Sequence, residues 1–224
     1  MIVALQHQKG GVGKTMLSLQ LAQVFGQNGL NVLLIDADTQ ASASDWLLIR
    51  EAAGASAPAF TVLAITNTTI TSQVARLNQQ YDMIVVDSPP RSNVLAKAIM
   101  AVSDLMLIPL KASGTDVRAI AGLLELKAEV EAVRGENSVK CAYALNQVVT
   151  GSLLLDAVRD DLGSSSIPVC RTSIVNRQIY AQSMTTGYTV FDYPRGMPAY
   201  DSDVLDRSRD EITRLAKEVS EMLA

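Results

Sequence analysis

Short apolar runs recur along the chain with helical patterns between them, and this alternation restricts the fold more than any other feature. "IVAL" (2–5), "NVLLID" (31–36), "DMIVVD" (82–87), "DLMLIPL" (104–110) and "KCAYAL" (140–145) read as strands, with "FTVLAI" (60–65) and "PVCRTSI" (168–174) as weaker candidates. Strands this apolar need cover on both faces, as in a parallel sheet with helices on either side. After the first run, Leu17, Leu21, Val24 and Phe25 fall on one helical face and Gln20, Gln23 and Gln27 on another, and Gly29 supplies a stop. Residues 114–134 place Val117, Ile120, Leu124 and Ala128 in a stripe, and Ile212, Leu215, Ala216, Val219, Met222 and Leu223 form another near the end. The expectation is an α/β fold, a doubly wound, mostly parallel sheet flanked by helices. The stretch 187–203, rich in Gly, Pro and Tyr, reads as a surface loop.

Composition fits one domain over residues 1–224. Hydrophobic residues make up 48% and aromatic residues 4%, so Ala, Val, Leu, Ile and Met must build the core. The net charge of −4 gives no global positive field, so attraction to nucleic acid or anionic membrane must come from a local patch. Cys141 and Cys170 form no CxxC pair and read as small buried hydrophobes in a reducing compartment. The first residues, "MIVALQHQ", carry no basic leader, and no apolar stretch approaches the length of a bilayer span. A cytoplasmic protein is expected.

The chemistry begins where the first strand ends. "KGGVGKT" (9–15) follows at once, and a helix is expected from about Thr15. Gly10, Gly11 and Gly13 let the backbone approach phosphate oxygens, with Val12 a further nucleotide-binding residue of the loop, and the helix N-terminus adds partial positive charge. Lys14 suits the β- and γ-phosphates of ATP, and the Thr15 hydroxyl suits Mg²⁺. The general pattern G-x-x-x-x-G-K-[ST] is not met, because Gln8 stands where its first glycine would be. Lys9 at the start of the loop serves either a nucleotide held by a second subunit or nothing beyond the solvated surface.

These residues resemble the deviant Walker A motif of the ParA/MinD ATPases, P-loop NTPases whose first motif lysine crosses a dimer interface. "VLLIDADTQ" (32–40) resembles the family's second motif with Thr39 in place of proline, and "YDMIVVDSPP" (81–90) its Walker B. "RTSIVNRQIYAQSMTTGYTVF" (171–191) resembles short plasmid-partition ParA proteins of the ParF type. The resemblance implies catalytic roles for Lys9, Lys14 and Asp38, with Asp38 orienting the attacking water. It implies Thr15, Asp36 and Asp87 around Mg²⁺, Met16 near the α-phosphate, and Asn146 near the adenine base. For Asp36 and Asp38 the alternative is turn formation or helix capping, with Asp45 the better capping candidate. For Asn146 it is a loop-start residue. His7 and Trp46 read as structural residues.

ATP hydrolysis within a nucleotide-sandwich homodimer is implied, with non-specific DNA binding in the ATP state. So is a centromere-binding or cargo adaptor of the ParB/ParG kind that stimulates hydrolysis, in a cytoplasmic, nucleoid-associated protein. Arg195, Arg207, Arg209, Arg214 and Lys217 are candidate DNA contacts, yet Asp201, Asp203, Asp206, Asp210 and Glu211 are interleaved with them, as on a solvated face. The final "LAKEVSEMLA" lacks the basic cluster and aromatic of a membrane-surface helix, so no membrane partner is expected. Two other readings are a metabolic P-loop ligase or synthetase, which needs no Lys9, and a non-hydrolysing scaffold, which should lack Asp38 or Lys14. "KASGTD" (111–116) departs from the ParF-type loop linked to assembly beyond the dimer.

Overall fold

The computed structural model describes residues 1–135 and 138–224, and the side chains of 114–119 lie outside the described set. The side chains of Val117 of the expected stripe and of residues 114–116 in "KASGTD" therefore lie outside the described residues. Strands β1 (Ile2–Leu5), β2 (Val32–Asp36), β3 (Thr61–Ala64), β4 (Met83–Asp87), β5 (Leu105–Leu110), β6 (Lys140–Val148) and β7 (Ile174–Val175) pair in parallel in the order β3-β2-β4-β1-β5-β6-β7. The helices are α1 (Lys14–Gln27), α2 (Ser42–Ala52), α3 (Ile70–Leu77), α4 (Asn93–Val102), α5 (Gly114–Arg134), α6 (Leu153–Gly163), α7 (Gln178–Thr186) and α8 (Ser202–Leu223).

Successive strand residues serve opposite faces. Val3, Leu5, Leu34 and Val85 pack with Leu17 and Leu21 of α1 and Leu215 and Val219 of α8. Ile2, Ala4, Ile35 and Val86 pack with Ile70 and Val74 of α3 and Ile99 of α4. Both faces are dry, which is why the runs are apolar throughout. The register sets Leu5 of β1 opposite Asp87 of β4, and Asp87 opposite Asp36 of β2, so three strands end in one line.

Several elements differ from the reading of the sequence. "PVCRTSI" forms one bridge, Val169 with Tyr143, before β7 at Ile174–Val175, because Glu218 of α8 takes over the backbone of Arg171 and Thr172 instead of a neighbouring strand. Helix α1 is buried around most of its girth rather than split into two faces: Gln20 and Gln23 are buried among other chain segments. Gln20 donates to Ser183 Oγ and accepts from Val190 N–H, and Gln23 accepts from Ala59 N–H. Their amides do for buried backbone what water does for exposed backbone. Helix α5 faces the core with Ile120, Leu123, Leu126 and Val130, one step round from the expected stripe, leaving Ala128 exposed.

The segment 187–203 is anchored rather than loose. Val190 and Thr189 are fully buried and Tyr193 nearly so. Arg50 of α2 reaches across to the Gly187 carbonyl and Asp192 and lies over the rings of Trp46 and Tyr188. Trp46 stacks on Phe60 and donates to the Ser183 and Tyr188 carbonyls, the structural role expected of it. Glu211 and Glu218 are likewise buried in α8 and not on a solvated face. Glu211 accepts from Val175 N–H, Arg177 and Tyr180, and Glu218 from Arg171 N–H and both donors of Thr172. Burial of a carboxylate is tolerable on those terms.

One contact yields a test of the packing of α1 against the loop leading into β3. A Cβ added at Gly26 would stand 1.8 Å from the Ala59 carbonyl oxygen, a backbone atom that cannot swing aside. Gly26→Ala is expected to destabilise the fold by roughly 1–3 kcal/mol in urea unfolding, despite the better helix propensity of alanine. A neutral or stabilising result would mean that α1 sits farther from this segment.

Candidate functional site

Because β1 carries no further residues into a strand, the chain turns over the sheet edge at residues 9–13 and enters α1. Gly11 and Gly13 have φ of 74° and 89°, in the left-handed region that favours glycine. No side chain caps α1 and no acidic residue stands in its first turn, so its leading N–H groups face the loop without a protein acceptor from a cap. Such a concave run of amides at a helix start fits an anion.

Lys14 is buried and its Nζ donates to the Lys9 carbonyl at 3.2 Å, inside the curl of the loop. Burial pulls its ammonium below the ordinary lysine value, and the charges of Asp87 and Asp38 oppose that pull. Lys9 is half-buried, and its N–H donates to His7 Nδ1 at 3.0 Å, which gives the only histidine a structural use. Thr15 is half-buried in the first turn of α1, and Met16 behind it is buried.

The carboxylates divide their work. Asp87 is 1% exposed, and neither oxygen makes a well-formed hydrogen bond among the described residues. Burial pushes its pKa up to about 7; Thr15 and Lys14 draw it down, while Asp36 and Asp38 add to the rise. A carboxylate kept in such a place suits a cation, and Thr15, close by, supplies a second hard oxygen. Asp36 is otherwise employed. Its Oδ2 accepts from Ala43 N–H, Ser44 N–H and Ser44 Oγ, and its Oδ1 from Asp38 N–H. The start of α2 is thus held by Asp36 from a neighbouring strand end, and exposed Asp45, the expected cap, makes no such bond. With four donors on it, Asp36 fixes the turn that carries Asp38 and the start of α2. Asp38 is half-buried and accepts from Gln40 N–H, closing a turn.

Asn146 stands at a bulge in β6 and is fully buried, with Nδ2 donating to the Val12 carbonyl at 2.7 Å. It supports the loop; no edge of it is open to a base in this structure. A cavity of about 230 Å³ opens next to it, lined by Met16, Gln147, Val175, Asn176, Tyr180 and Met184 among others. Its apolar walls with a few amides suit a planar ring. Gln147 and the α7 residues escaped the reading of the sequence, since only the bulge and the docking of α7 bring them beside the loop.

Asp87 gives a test with a definite sign. Its folded pKa, about 7, lies above the ordinary 3.8, so the folded state holds this proton more tightly than the unfolded state. The group's contribution to stability therefore declines as pH rises from about 4 to about 7 and stays low above. In magnesium-free buffer, Asp87→Asn is expected to gain stability relative to the wild type across that window. A gap between the two that does not widen with pH would contradict the burial and isolation of this carboxylate.

Known proteins share this arrangement. A model of the CobQ/CobB/MinD/ParA nucleotide binding domain family matches residues 3–190. The maintenance of carboxysome distribution protein A of Halothiobacillus neapolitanus is 29% identical over 221 residues, covering 97% of this chain and 95% of its own. The chromosome-partitioning ATPase Soj of Thermus thermophilus is 28% identical over 155 residues, 58% of this chain and 62% of its own. The MinD cell division protein of Aquifex aeolicus has the same fold, with a TM-score of 0.75 at 18% identity over 98% of this chain and 97% of its own. With the family model covering most of the sheet and the whole phosphate loop, the chain belongs to the CobQ/CobB/MinD/ParA nucleotide-binding family and is a P-loop ATPase.

Proposed function

We propose that this chain is a positioning ATPase of the ParA/MinD kind, which dimerises around ATP, binds DNA without sequence preference in that state, and is released when an adaptor on its cargo stimulates hydrolysis. The observation that carries the reading is the loop itself: a phosphate cradle at a strand end with a second lysine, Lys9, that the nucleotide of its own subunit does not require. The match of 97% of the chain to a carboxysome distribution protein supports positioning as the task. Candidate cargoes are a carboxysome, a plasmid as for ParF-type proteins, or a chromosome. The metabolic ligase reading remains second, because it leaves Lys9 without a purpose.

ATP would supply the phosphoanhydride and Mg²⁺ would offset its charge, and the residues present fit them: an uncapped helix start, a buried carboxylate whose oxygens make no well-formed hydrogen bond, and the Thr15 hydroxyl close by. Lys14 leaves the Lys9 carbonyl to meet the phosphates, at little cost, because its ammonium is already in the curl. Thr15 and Asp87 would hold the cation. Asp38, its turn fixed by Asp36, orients water for attack. Lys9 completes the charge stabilisation in the partner subunit. Val94, Val149, Leu153 and Leu154 are exposed apolar residues following β4 and β6 at the sheet edge that carries the loop, which supports this edge as the dimer face.

For DNA the candidates narrow. Arg209 and Arg214 pair with Asp206 and Asp210, whereas Arg195, Arg207 and Lys217 are exposed without an ion pair among the described residues. The test is sedimentation with a slowly hydrolysed ATP analogue, with and without random-sequence duplex DNA. Wild type is expected to dimerise and carry DNA, and Lys9→Ala to remain monomeric and free of DNA while still binding nucleotide. Asp38→Ala is expected to dimerise but to turn ATP over roughly 10²-fold more slowly. A wild type that stays monomeric and ignores DNA would favour the metabolic enzyme.

A further inference from the structure

The phosphate loop has a weakness that the rest of the site must correct. Its peptides next to Gly11 and Gly13 can rotate cheaply, since both glycines already sit at positive φ and lack a Cβ. A rotated peptide points its carbonyl, not its N–H, into the cradle. The loop would then repel the anion that it is shaped to hold, because the sign of the local field depends on which end of each peptide dipole faces inward.

Side chains of β6 hold two of these carbonyls away. Asn146 Nδ2 donates to the Val12 carbonyl at 2.7 Å in full burial. Gln147 Nε2 reaches the Gly11 carbonyl at 3.4 Å. Both donors are presented by irregular backbone: the register of β6 against β7 shifts between Asn146 and Val148, and Gln147 has a φ of 55°, uncommon for a residue with a side chain. Two further observations say that the fit is close. A Cβ on Gly13 would lie 2.1 Å from Asn146 Nδ2, and Asn146 Oδ1 is buried without a hydrogen bond. An amide oxygen left in that condition is costly, and the donor on the same side chain is what the site gains from it.

We propose that Asn146 and Gln147 are positioning residues that lock the phosphate loop with its N–H groups inward before any nucleotide arrives. Asn146 fixes the peptide between Val12 and Gly13, Gln147 that between Gly11 and Val12, and strain in β6 is the cost of aiming them. This rests on the nucleotide-binding reading only for its consequence; the lock itself is a property of the ligand-free chain.

Asn146→Leu keeps the volume and removes the donor, and Gln147→Ala removes the outer arm. Hydrogen exchange of the ligand-free protein, followed over the segment 6–16, is expected to quicken about tenfold in each variant, while β1 stays protected as in the wild type. Affinity for an ATP analogue, measured well below the melting temperature, is expected to fall about tenfold in the same variants. If exchange in the loop and nucleotide affinity both match the wild type, the lock does not exist. Exchange that rises equally in β1 and the loop would also overturn it, as general loss of stability. Should the wild type bind no ATP analogue, the proposed function fails, and the exchange measurement on the ligand-free chain still decides the lock. Gln147→Ala keeps the test open should Asn146→Leu fail to fold, since Gln147 lies at the rim of the loop.

Discussion

Parallel pairing in a single register places Leu5, Asp36 and Asp87 side by side at the carboxyl edge of three neighbouring strands, and everything functional in this chain follows from that line. β1 delivers the phosphate loop, β4 delivers the carboxylate that would hold the cation, and β2 delivers the turn with Asp38. None of these elements could be moved by one residue without turning its strand over, because alternate side chains pack against opposite helical layers. The apolar core and the site are thus one constraint seen from two ends of the strands.

The site is charged, with Lys14, Asp36 and Asp87 buried, and their surroundings determine how its members divide their labour. Asp36 is saturated by four donors and serves as a bracket for α2 and the Asp38 turn. Asp87, one strand away, has no such partners and keeps a raised pKa. Two carboxylates at equivalent strand ends therefore differ in function because one is surrounded by backbone N–H groups and the other by the walls of the sheet. Lys14, held in the curl of the loop, feels the charges of Asp87 and Asp38 and offsets part of their repulsion.

Much of this was legible in the sequence. All five of the stronger apolar runs are strands, their parallel sense follows from the alternation with helices, and the loop follows the first strand and leads into a helix as read. What was not legible depended on contacts between distant segments. Gln20 and Gln23 look solvated in a helical projection but are consumed by Ser183, Val190 and Ala59. Glu211 and Glu218 look like surface charges but satisfy the backbone of the stretch that was read as a strand. The 187–203 segment looks loose by composition but is pinned through Arg50, whose partners lie more than a hundred residues away. The family resemblance singles out Asn146, but the direction in which its amide points is not legible in the sequence.

The central claim is that this is half of a site, completed by Lys9 of a second copy. A crystal structure with Mg²⁺ and a non-hydrolysable ATP analogue tests it directly. The account predicts a two-fold dimer in which each Lys9 ammonium contacts the phosphates held by the other subunit, with Asp87 and Thr15 around the cation. A monomer that closes over its own nucleotide, with Lys9 directed into solvent, would contradict it.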